Sequence, residues 1–374
     1  KTSMKSCLLF VIGTFILCCP LYVAHALEGE LAPDFTLKSV QGETYRLSEM
    51  DEQPMLILYF FDAASRPSQE GLLSLDKLAK KYGDAELSVW AITLSPKQEV
   101  TRFLSQSDLT FPVLLDHTQV SDLYQARLIT PTVCVIGPRL VVMDYFQGGG
   151  KTTEIMLVRL AERKLRQKQT QIAKAISREV SSANRKNAEA RSLEGYAALE
   201  EGNLEEAEKA FTELAKEKGK GEVLGKEGLA KVYATKGETE KALEMVHDVE
   251  KKAPDRAFVH VVKGDVLASQ NKAQEAREEY RKAVQKKAAL PFQKAVAYNQ
   301  LGRFHANLGK YDQARELYDQ AVEIDPYYIE ATSNKGVAFE KEGRWEDALS
   351  AYQKALKVND EDTFTRVLAG KAEQ

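Results

Sequence analysis

The second half of the chain repeats itself with a period close to 34 residues. An alanine recurs at steps of 35, 34, 38 and 34 residues, with a glycine or asparagine five positions before it and a large side chain four positions after it. The three series are Gly202, Gly237, Asn271, Gly309 and Gly343; Ala207, Ala242, Ala276, Ala314 and Ala348; and Phe211, Val246, Tyr280, Tyr318 and Tyr352. Because small residues let two helices approach closely, this period predicts a solenoid of stacked helix pairs.

These repeats resemble the tetratricopeptide repeat family. The resemblance is strongest in the last two repeats, at Gln300-Leu301-Gly302, Tyr311, Ala314, Tyr318, Ala321 and Pro326, and at Lys335-Gly336, Trp345, Ala348, Tyr352 and Ala355. We place the five repeats at 188–221, 223–256, 257–290, 295–328 and 329–362, and a C-terminal tail at 363–374.

The resemblance implies a concave groove that is lined by the first helix of each pair and takes an extended peptide or a partner helix. The positions expected to face this groove are Asn299, Arg303, Asn307, Ser333 and Val337. Asparagine and arginine there suit the capture of backbone and carboxylate groups. The alternative is that these side chains are only solvated. Protein or peptide partners are therefore expected, without an identified ligand.

The first half of the chain alternates strands and helices over residues 28–165. Residues 55–61 and 87–94 are apolar runs of the kind found in strands buried on both faces, and residues 65–82 between them have helical spacing. This order predicts a βαβ unit with a parallel sheet. Strands at 111–115, 132–136 and 140–146 and a helix from about Thr152 complete the predicted domain.

This α/β domain resembles the thioredoxin-like superfamily, in particular exported redoxins related to peroxiredoxins and thiol-disulfide reductases. The matching features are Ala32-Pro33-Asp34-Phe35-Thr36-Leu37, Phe60-Phe61 at a strand end, Thr130-Pro131-Thr132 before a strand, and a final hairpin leading to Gly148. The predicted fold is thus an α/β thioredoxin-like domain followed by an all-α tetratricopeptide solenoid.

The resemblance implies a Cys-x-x-Cys pair in the turn after the first buried strand, where a helix N-terminus favours the thiolate. Here Ser65 and Ser68 occupy both cysteine positions. A serine hydroxyl cannot form a disulfide, so thiol-disulfide exchange is not expected at this turn and no catalytic residue is assigned. Ser65 is predicted to cap the helix, with Pro67 in its first turn; the alternative is that its hydroxyl contacts a bound peptide.

Two further residues near this turn are singled out. By resemblance, Pro131 is expected to follow a cis peptide bond, kept for the fold or for peptide binding. Cys134 lies on the following predicted strand and is interpreted as a small buried apolar residue; a resolving or sensing role would need exposure.

The N-terminus has the order of a secretory signal. A lysine and an apolar run over residues 7–23 precede the small residues Ala24 and Ala26, so residues 1–27 are interpreted as a signal peptide or, alternatively, a membrane anchor. Three of the four cysteines lie in this segment. We expect a bacterial protein that is periplasmic or anchored facing the periplasm.

Composition excludes other classes. A net charge of -3 gives no overall electrostatic reason to bind nucleic acid, so no nucleic-acid partner is expected. The five histidines are dispersed without ligand spacing, so neither a metal nor a cofactor is expected. Residues 166–187 are rich in lysine and arginine and are interpreted as a basic helical linker.

The sequence therefore favours an exported interaction scaffold with a redox-inactive domain. The alternative is a redoxin-family oxidoreductase or peroxidase that acts through Cys134. A third possibility is that the α/β domain binds a client without turnover.

Overall fold

The computed structural model describes residues 28–51, 55–82, 88–148, 151–286 and 291–373. The predicted export segment at 1–27, including the possible anchor at 7–23, lies outside these residues. Across the described ranges, no helix combines the length and the apolar character needed to cross a membrane.

Seven strands form one mixed sheet in the order β2-β1-β5-β4-β3-β6-β7. Their bounds are Thr36–Ser39 (β1), Thr44–Arg46 (β2), Leu56–Phe61 (β3), Ser88–Thr93 (β4), Val113–Leu115 (β5), Thr132–Ile136 (β6) and Val142–Gln147 (β7). The predicted βαβ unit is confirmed, since β3 and β4 pair in parallel, while β6 pairs antiparallel with β3. Strands β1 and β2 were not predicted from the sequence.

Strand β3 is buried on both faces because other elements pack against each side of the sheet. The helices of this domain are Arg66–Tyr82 (α1), Lys97–Leu104 (α2), Val120–Leu123 (α3) and Thr152–Arg166 (α4). Ile57, Tyr59 and Phe61 face a core that α1, α2 and α4 contribute to, whereas Leu58 and Phe60 face a second core. This alternation follows from the two-residue period of a strand.

Twelve helices follow α4 in the described part of the chain. They are Thr170–Ala183 (α5), Ala188–Glu200 (α6), Leu204–Ala215 (α7), Lys220–Lys236 (α8), Thr239–Lys252 (α9), Ala257–Ser269 (α10), Ala273–Gln285 (α11), Pro291–Asn307 (α12), Tyr311–Ile324 (α13), Ile329–Lys341 (α14), Trp345–Leu356 (α15) and Thr363–Ala372 (α16). The five predicted repeats correspond to the pairs from α6/α7 to α14/α15. The predicted tail contains α16, which buries Thr365 and Ala369.

The stretch predicted as a linker contains α5, and α5 is packed between α4 and α6. Ala173, Ile176 and Val180 form its buried face, and Ile176 and Val180 belong to the same apolar cluster as the sheet. The basic side chains of this stretch are therefore carried by a helix whose other face is core.

The end of the array returns to the first domain. Tyr327, between α13 and α14, is 1% exposed and belongs to the cluster that contains β3. Arg163 of α4 lies 5.5 Å from the centre of the Tyr327 ring, and Arg166 pairs with Asp325. Because both the beginning and the end of the array contact α4, the two domains share one apolar core.

Candidate functional site

The turn after β3 is held by hydrogen bonds that use serine hydroxyls as acceptors. The backbone N–H of Ala63 donates to Ser95 Oγ at 2.9 Å, and that of Asp62 donates to Ser68 Oγ at 3.4 Å. Ser68 is fully buried in the first turn of α1. Ser65 immediately precedes α1, and its carbonyl accepts from the N–H of Gln69 at 3.0 Å. The buried Ser68 hydroxyl therefore accepts a backbone hydrogen bond that stabilises this turn.

The loop before β6 carries the expected cis bond. The Thr130–Pro131 peptide is cis, and the Pro131 carbonyl accepts from the N–H of Gly148 at 3.1 Å. The two preceding apolar side chains point away from the core: Leu128 is 92% exposed and Ile129 is 41% exposed. Because Phe60 of β3 pairs with Thr132 of β6, this apolar surface lies at the same end of the sheet as the turn that holds Ser65.

Cys134 lies in the middle of the sheet. It is 0% exposed on β6, opposite Leu58 of β3 and Tyr145 of β7. Burial raises the pKa of the Cys134 thiol far above its usual range, and the charges of Asp144 and Glu28 raise it further. A buried thiol with a raised pKa is a poor nucleophile.

A cavity of about 430 Å³ lies between the end of α4 and the helical array. We call it the central cavity. The first helices of the repeats, α6, α8, α10, α12 and α14, supply most of its wall, and α4 with the turn after it supplies the rest through Arg159, Glu162, Leu165, Arg166 and Lys168. The inner surface of the solenoid is thus closed on one side by a helix of the first domain.

Aromatic and aliphatic side chains form the apolar part of this wall. The rings of Tyr196 and Phe258 meet edge to face at 5.8 Å, and Leu193, Leu224 and Val296 line the same space. Edge-to-face packing is a preferred arrangement of aromatic rings, so the contact between Tyr196 and Phe258 stabilises this part of the wall.

The charged groups of the central cavity are paired. Glu227, 1% exposed, accepts from Arg256 Nε at 3.1 Å. Burial raises the pKa of Glu227, and the charge of Arg256 opposes that shift. Other pairs at the wall are Lys168–Glu200 at 2.7 Å, Lys220–Glu189 at 2.6 Å, Arg159–Glu162 at 3.0 Å and Lys231–Asp265 at 2.8 Å.

A second hollow of about 340 Å³ adjoins the central cavity, with Lys231 and Gln300 lining both. We call it the distal groove. Of the residues predicted to face a groove, Arg303 and Asn307 line this one.

The other predicted groove residues lie between helices. Asn299 is fully buried, donates to the Tyr328 hydroxyl at 3.2 Å and accepts from Asn334 Nδ2 at 2.9 Å. Ser333 is buried against Thr365, with their hydroxyls 2.8 Å apart, and Val337 packs in the apolar cluster of α15 and α16.

One cluster in the described ranges has the composition of a metal site. Ligand atoms of Glu250, His260 and Glu279 lie within 4.8 Å of one another. Lys282 Nζ lies 2.8 Å from Glu279, and Lys263 Nζ lies 3.3 Å from Glu250. Since ammonium groups already neutralise the carboxylates, this is a network of ion pairs between α9, α10 and α11.

Comparison with known proteins divides the chain in the same way. Residues 29–145 match the AhpC/TSA family, residues 156–295 match a tetratricopeptide repeat-like domain, and residues 293–361 match the tetratricopeptide repeat. The start of the repeat-like match within α4 agrees with the packing of α4 and α5 onto the array.

Individual relatives cover one half of the chain or the other. The thioredoxin-like protein YneN of Bacillus subtilis is 30% identical over 125 residues, 32% of this chain and 72% of that protein. The thiol-disulfide oxidoreductase ResA of Geobacillus kaustophilus is 27% identical over 109 residues, 29% of this chain and 62% of that protein. The small glutamine-rich tetratricopeptide repeat-containing protein 2 of Saccharomyces cerevisiae is 30% identical over 119 residues, 31% of this chain and 34% of that protein.

Proposed function

Since the chain belongs to the AhpC/TSA family through its first domain and continues as tetratricopeptide repeats, we propose that it is a protein-binding scaffold whose redoxin domain performs no thiol chemistry. The observation that carries this proposal is the serine at both positions of the expected cysteine pair, together with a repeat array whose inner surface holds the central cavity and the distal groove.

Chemistry supports the loss of redox activity. Thiol exchange requires a thiolate nucleophile and a second sulfur. Ser65 and Ser68 provide neither, and the buried Ser68 hydroxyl accepts a backbone hydrogen bond. Cys134 is buried between two strands, and its raised pKa disfavours the thiolate.

The inner surface of the array supports protein binding. Tetratricopeptide repeats generally bind protein partners on the concave surface that stacked helix pairs create. In this chain the distal groove offers the exposed side chains Arg303 and Asn307, and the central cavity offers an apolar wall. We place the partner on these two surfaces.

We also propose export to a bacterial periplasm, with the N-terminal segment cleaved or kept as an anchor. The support is the apolar run at 7–23 followed by Ala24-His25-Ala26. Fractionation of the native host with a C-terminal tag measures this directly, and a protein recovered in the cytosol at full length contradicts it.

The redox part of the proposal is tested by insulin reduction and peroxide reduction. We expect no turnover by the native chain or by Cys134→Ala. A Ser65→Cys, Ser68→Cys double variant is the positive control, because it restores the dithiol at the N-terminus of α1. Turnover by the native chain that disappears with Cys134→Ala contradicts the proposal and identifies a one-cysteine oxidoreductase or peroxidase.

The binding part is tested by photo-crosslinking in the native host. A photoreactive amino acid replaces Arg303 in the distal groove, and in a matched variant it replaces Lys354, which is exposed on α15. We expect a discrete protein adduct from position 303 and none from position 354. Equal labelling at both positions, or none at position 303, contradicts binding on the inner surface.

A second candidate function rests on the exposed Leu128 and Ile129 beside Pro131. These side chains provide an apolar surface on which the redoxin domain would hold a client without turnover. The helix α4 has 15 residues and spans about 22 Å, so this surface is separated from the central cavity at the other end of α4. With a photoreactive amino acid in place of Ile129, a protein adduct that is lost in Leu128→Glu while the adduct at position 303 is retained would identify this second surface.

A further inference from the structure

The helix α16 continues the repeat array as the first helix of a sixth pair. The first helices of the five preceding pairs each carry a glycine, at Gly195, Gly228, Gly264, Gly302 and Gly336. Gly370 of α16 follows the last of these by one repeat period. The hydroxyls of Thr365 in α16 and Ser333 in α14 lie 2.8 Å apart, so α16 stacks on α14. Positions in α16 can therefore be compared with their equivalents in the other first helices.

One position changes from buried to exposed at α16. In the five preceding first helices, the residue three positions before the glycine is buried: Ser192, Gly225, Val261, Asn299 and Ser333. The equivalent residue of α16, Val367, is 66% exposed. Asn299 is covered because it contacts Asn334 of the next first helix. Ser333 is covered in the same way by Thr365. The face of α16 that carries Val367 is therefore the face on which another first helix would stack.

This stacking face of α16 is apolar. Phe364, one turn before Val367, is 62% exposed, and Trp345 at the start of α15 is 43% exposed. Lys371, one turn after Val367, lies 5.8 Å from the centre of the Trp345 ring, so Trp345 borders the same surface. The end of a soluble repeat array needs a polar outer face, whereas large apolar side chains are exposed here. An exposed apolar patch of this kind marks an interaction surface.

The array itself indicates what covers such a face. From α6 to α14, each first helix packs against the next one along the array. Their stacking faces are occupied, so in a second copy of this chain α16 is the first helix whose stacking face is exposed. Lys371, the charged neighbour of Val367, is paired with Glu340 of its own chain. Two copies of this face can therefore meet without opposing unpaired charges at their centre.

We propose that α16 stacks on α16 of a second copy of this chain and joins two repeat arrays end to end. Because both copies contribute the same surface, a two-fold axis passes close to Val367. This dimer goes beyond the proposed function, since it holds two inner surfaces in one assembly.

The interface predicts a weak dimer. Each chain contributes mainly one helix of 10 residues, which together bury less than about 1,000 Å². We expect a dissociation constant on the order of 10–100 μM, so the chain is monomeric at about 1 μM.

Sedimentation velocity of the full chain measures the association. We expect the native chain to change from monomer to dimer between about 1 and 300 μM. Val367→Glu should raise the dissociation constant at least about 10-fold, because it places two carboxylates close together at the axis. The matched control is Leu308→Glu, at an apolar side chain between α12 and α13 that is 50% exposed. This control should dimerise as the native chain does.

A mixture of two variants tests whether residue 367 meets its own copy. Val367→Glu and Val367→Lys should each stay monomeric, because like charges face each other in either homodimer. An equimolar mixture should recover dimerisation to within about 3-fold of the native chain, because a carboxylate then faces an ammonium group. Val367 is exposed, so both variants should keep the circular dichroism of the native chain. Failure of the mixture to dimerise contradicts the two-fold arrangement.

Photo-crosslinking in the native host identifies the occupant without changing Val367. With a photoreactive amino acid in place of Phe364, we expect an adduct of twice the mass of the chain. An adduct of any other mass shows that a different protein covers α16 and overturns the inference. A native chain that stays monomeric throughout the concentration range also overturns it, as does a dimer that Val367→Glu leaves unchanged.

Discussion

At the scale of single residues, the environment of Cys134 decides between the scaffold and the enzyme interpretation. Because Cys134 is 0% exposed and burial raises its pKa, we expect a thiol reagent such as Ellman's reagent to leave the native chain unmodified. The same reagent should react promptly after denaturation. Rapid reaction of the native thiol, before any loss of circular dichroism, would contradict the buried position.

Glu279 provides a pH-dependent contribution to stability. Burial alone would raise its pKa, but hydrogen bonds from His260 and Lys282 and the charge of Lys263 lower it from 4.5 to about 2. Its folded-state pKa lies below the unfolded value, so this stabilisation is complete above pH 4.5 and is lost as the pH falls towards 2.

We therefore expect Glu279→Gln to lower the free energy of unfolding at neutral pH and to differ less from the native chain under acid conditions. Urea unfolding from about pH 6 to about pH 3 measures the two curves. Glu275→Gln, at an exposed glutamate on the same helix, is the control and should run parallel to the native chain. A constant difference for Glu279→Gln across this range would contradict the lowered pKa.

At the scale of elements, four of the five helix pairs have a glycine on the first helix that faces an aromatic ring on the second, and the α8/α9 pair has Val246 at the aromatic position. A Cβ on Gly302 of α12 would lie 2.6 Å from Cε1 of Tyr318 on α13, closer than real contacts allow. We expect Gly302→Ala to lower the free energy of unfolding by about 1–3 kcal/mol through overpacking. Thermal and urea unfolding provide the measurement.

Gly370→Ala is the matched control, because a Cβ added to Gly370 in α16 would have no neighbouring atom within 4 Å. Alanine is the better helix former, so this substitution should be neutral or stabilising by up to about 1 kcal/mol. Equal destabilisation by both substitutions would show that loss of glycine, and not contact with Tyr318, explains the first result.

The elements that the sequence predicted are those with a strong local signal. Burial of β3 and β4 can be recognised from their apolar runs, and burial of the repeat helices from their recurring alanines. The short strands β1 and β2 lack such a run, since β2 has three residues and none of them is fully buried. The helix in residues 166–187 was predicted, but it was interpreted as a linker because its basic residues dominate the composition, and the packing of α5 between α4 and α6 was not predicted.

At the scale of the whole molecule, the candidate site was only partly predictable. Arg303 and Asn307 line the distal groove, as their positions in the first helix of their repeat predicted. Asn299 and Ser333 have the same register but are buried by neighbours 29 and 32 residues further along the chain. Arg159 and Lys168 reach the central cavity only because the array folds back onto α4, which no local pattern encodes.

That return of the array depends on Tyr327. Its ring is buried in the cluster that contains β3 and lies beside Arg163 of α4. We expect Tyr327→Ala to cost about 3–5 kcal/mol, as for other large-to-small core substitutions, and to loosen the contact between the domains. Hydrogen exchange should then increase at the end of α4 and around Asp325, which pairs with Arg166.

Tyr318→Ala separates this effect from a general loss of packing. Tyr318 is as deeply buried as Tyr327, but its cluster lies within the array, on α12, α13 and α14. Its replacement should speed hydrogen exchange in α12 and α13 and leave the end of α4 protected. If both variants increase hydrogen exchange at α4 equally, the contact between the domains depends on the stability of the array as a whole. Tyr327 would then have no specific part in joining the array to the redoxin domain.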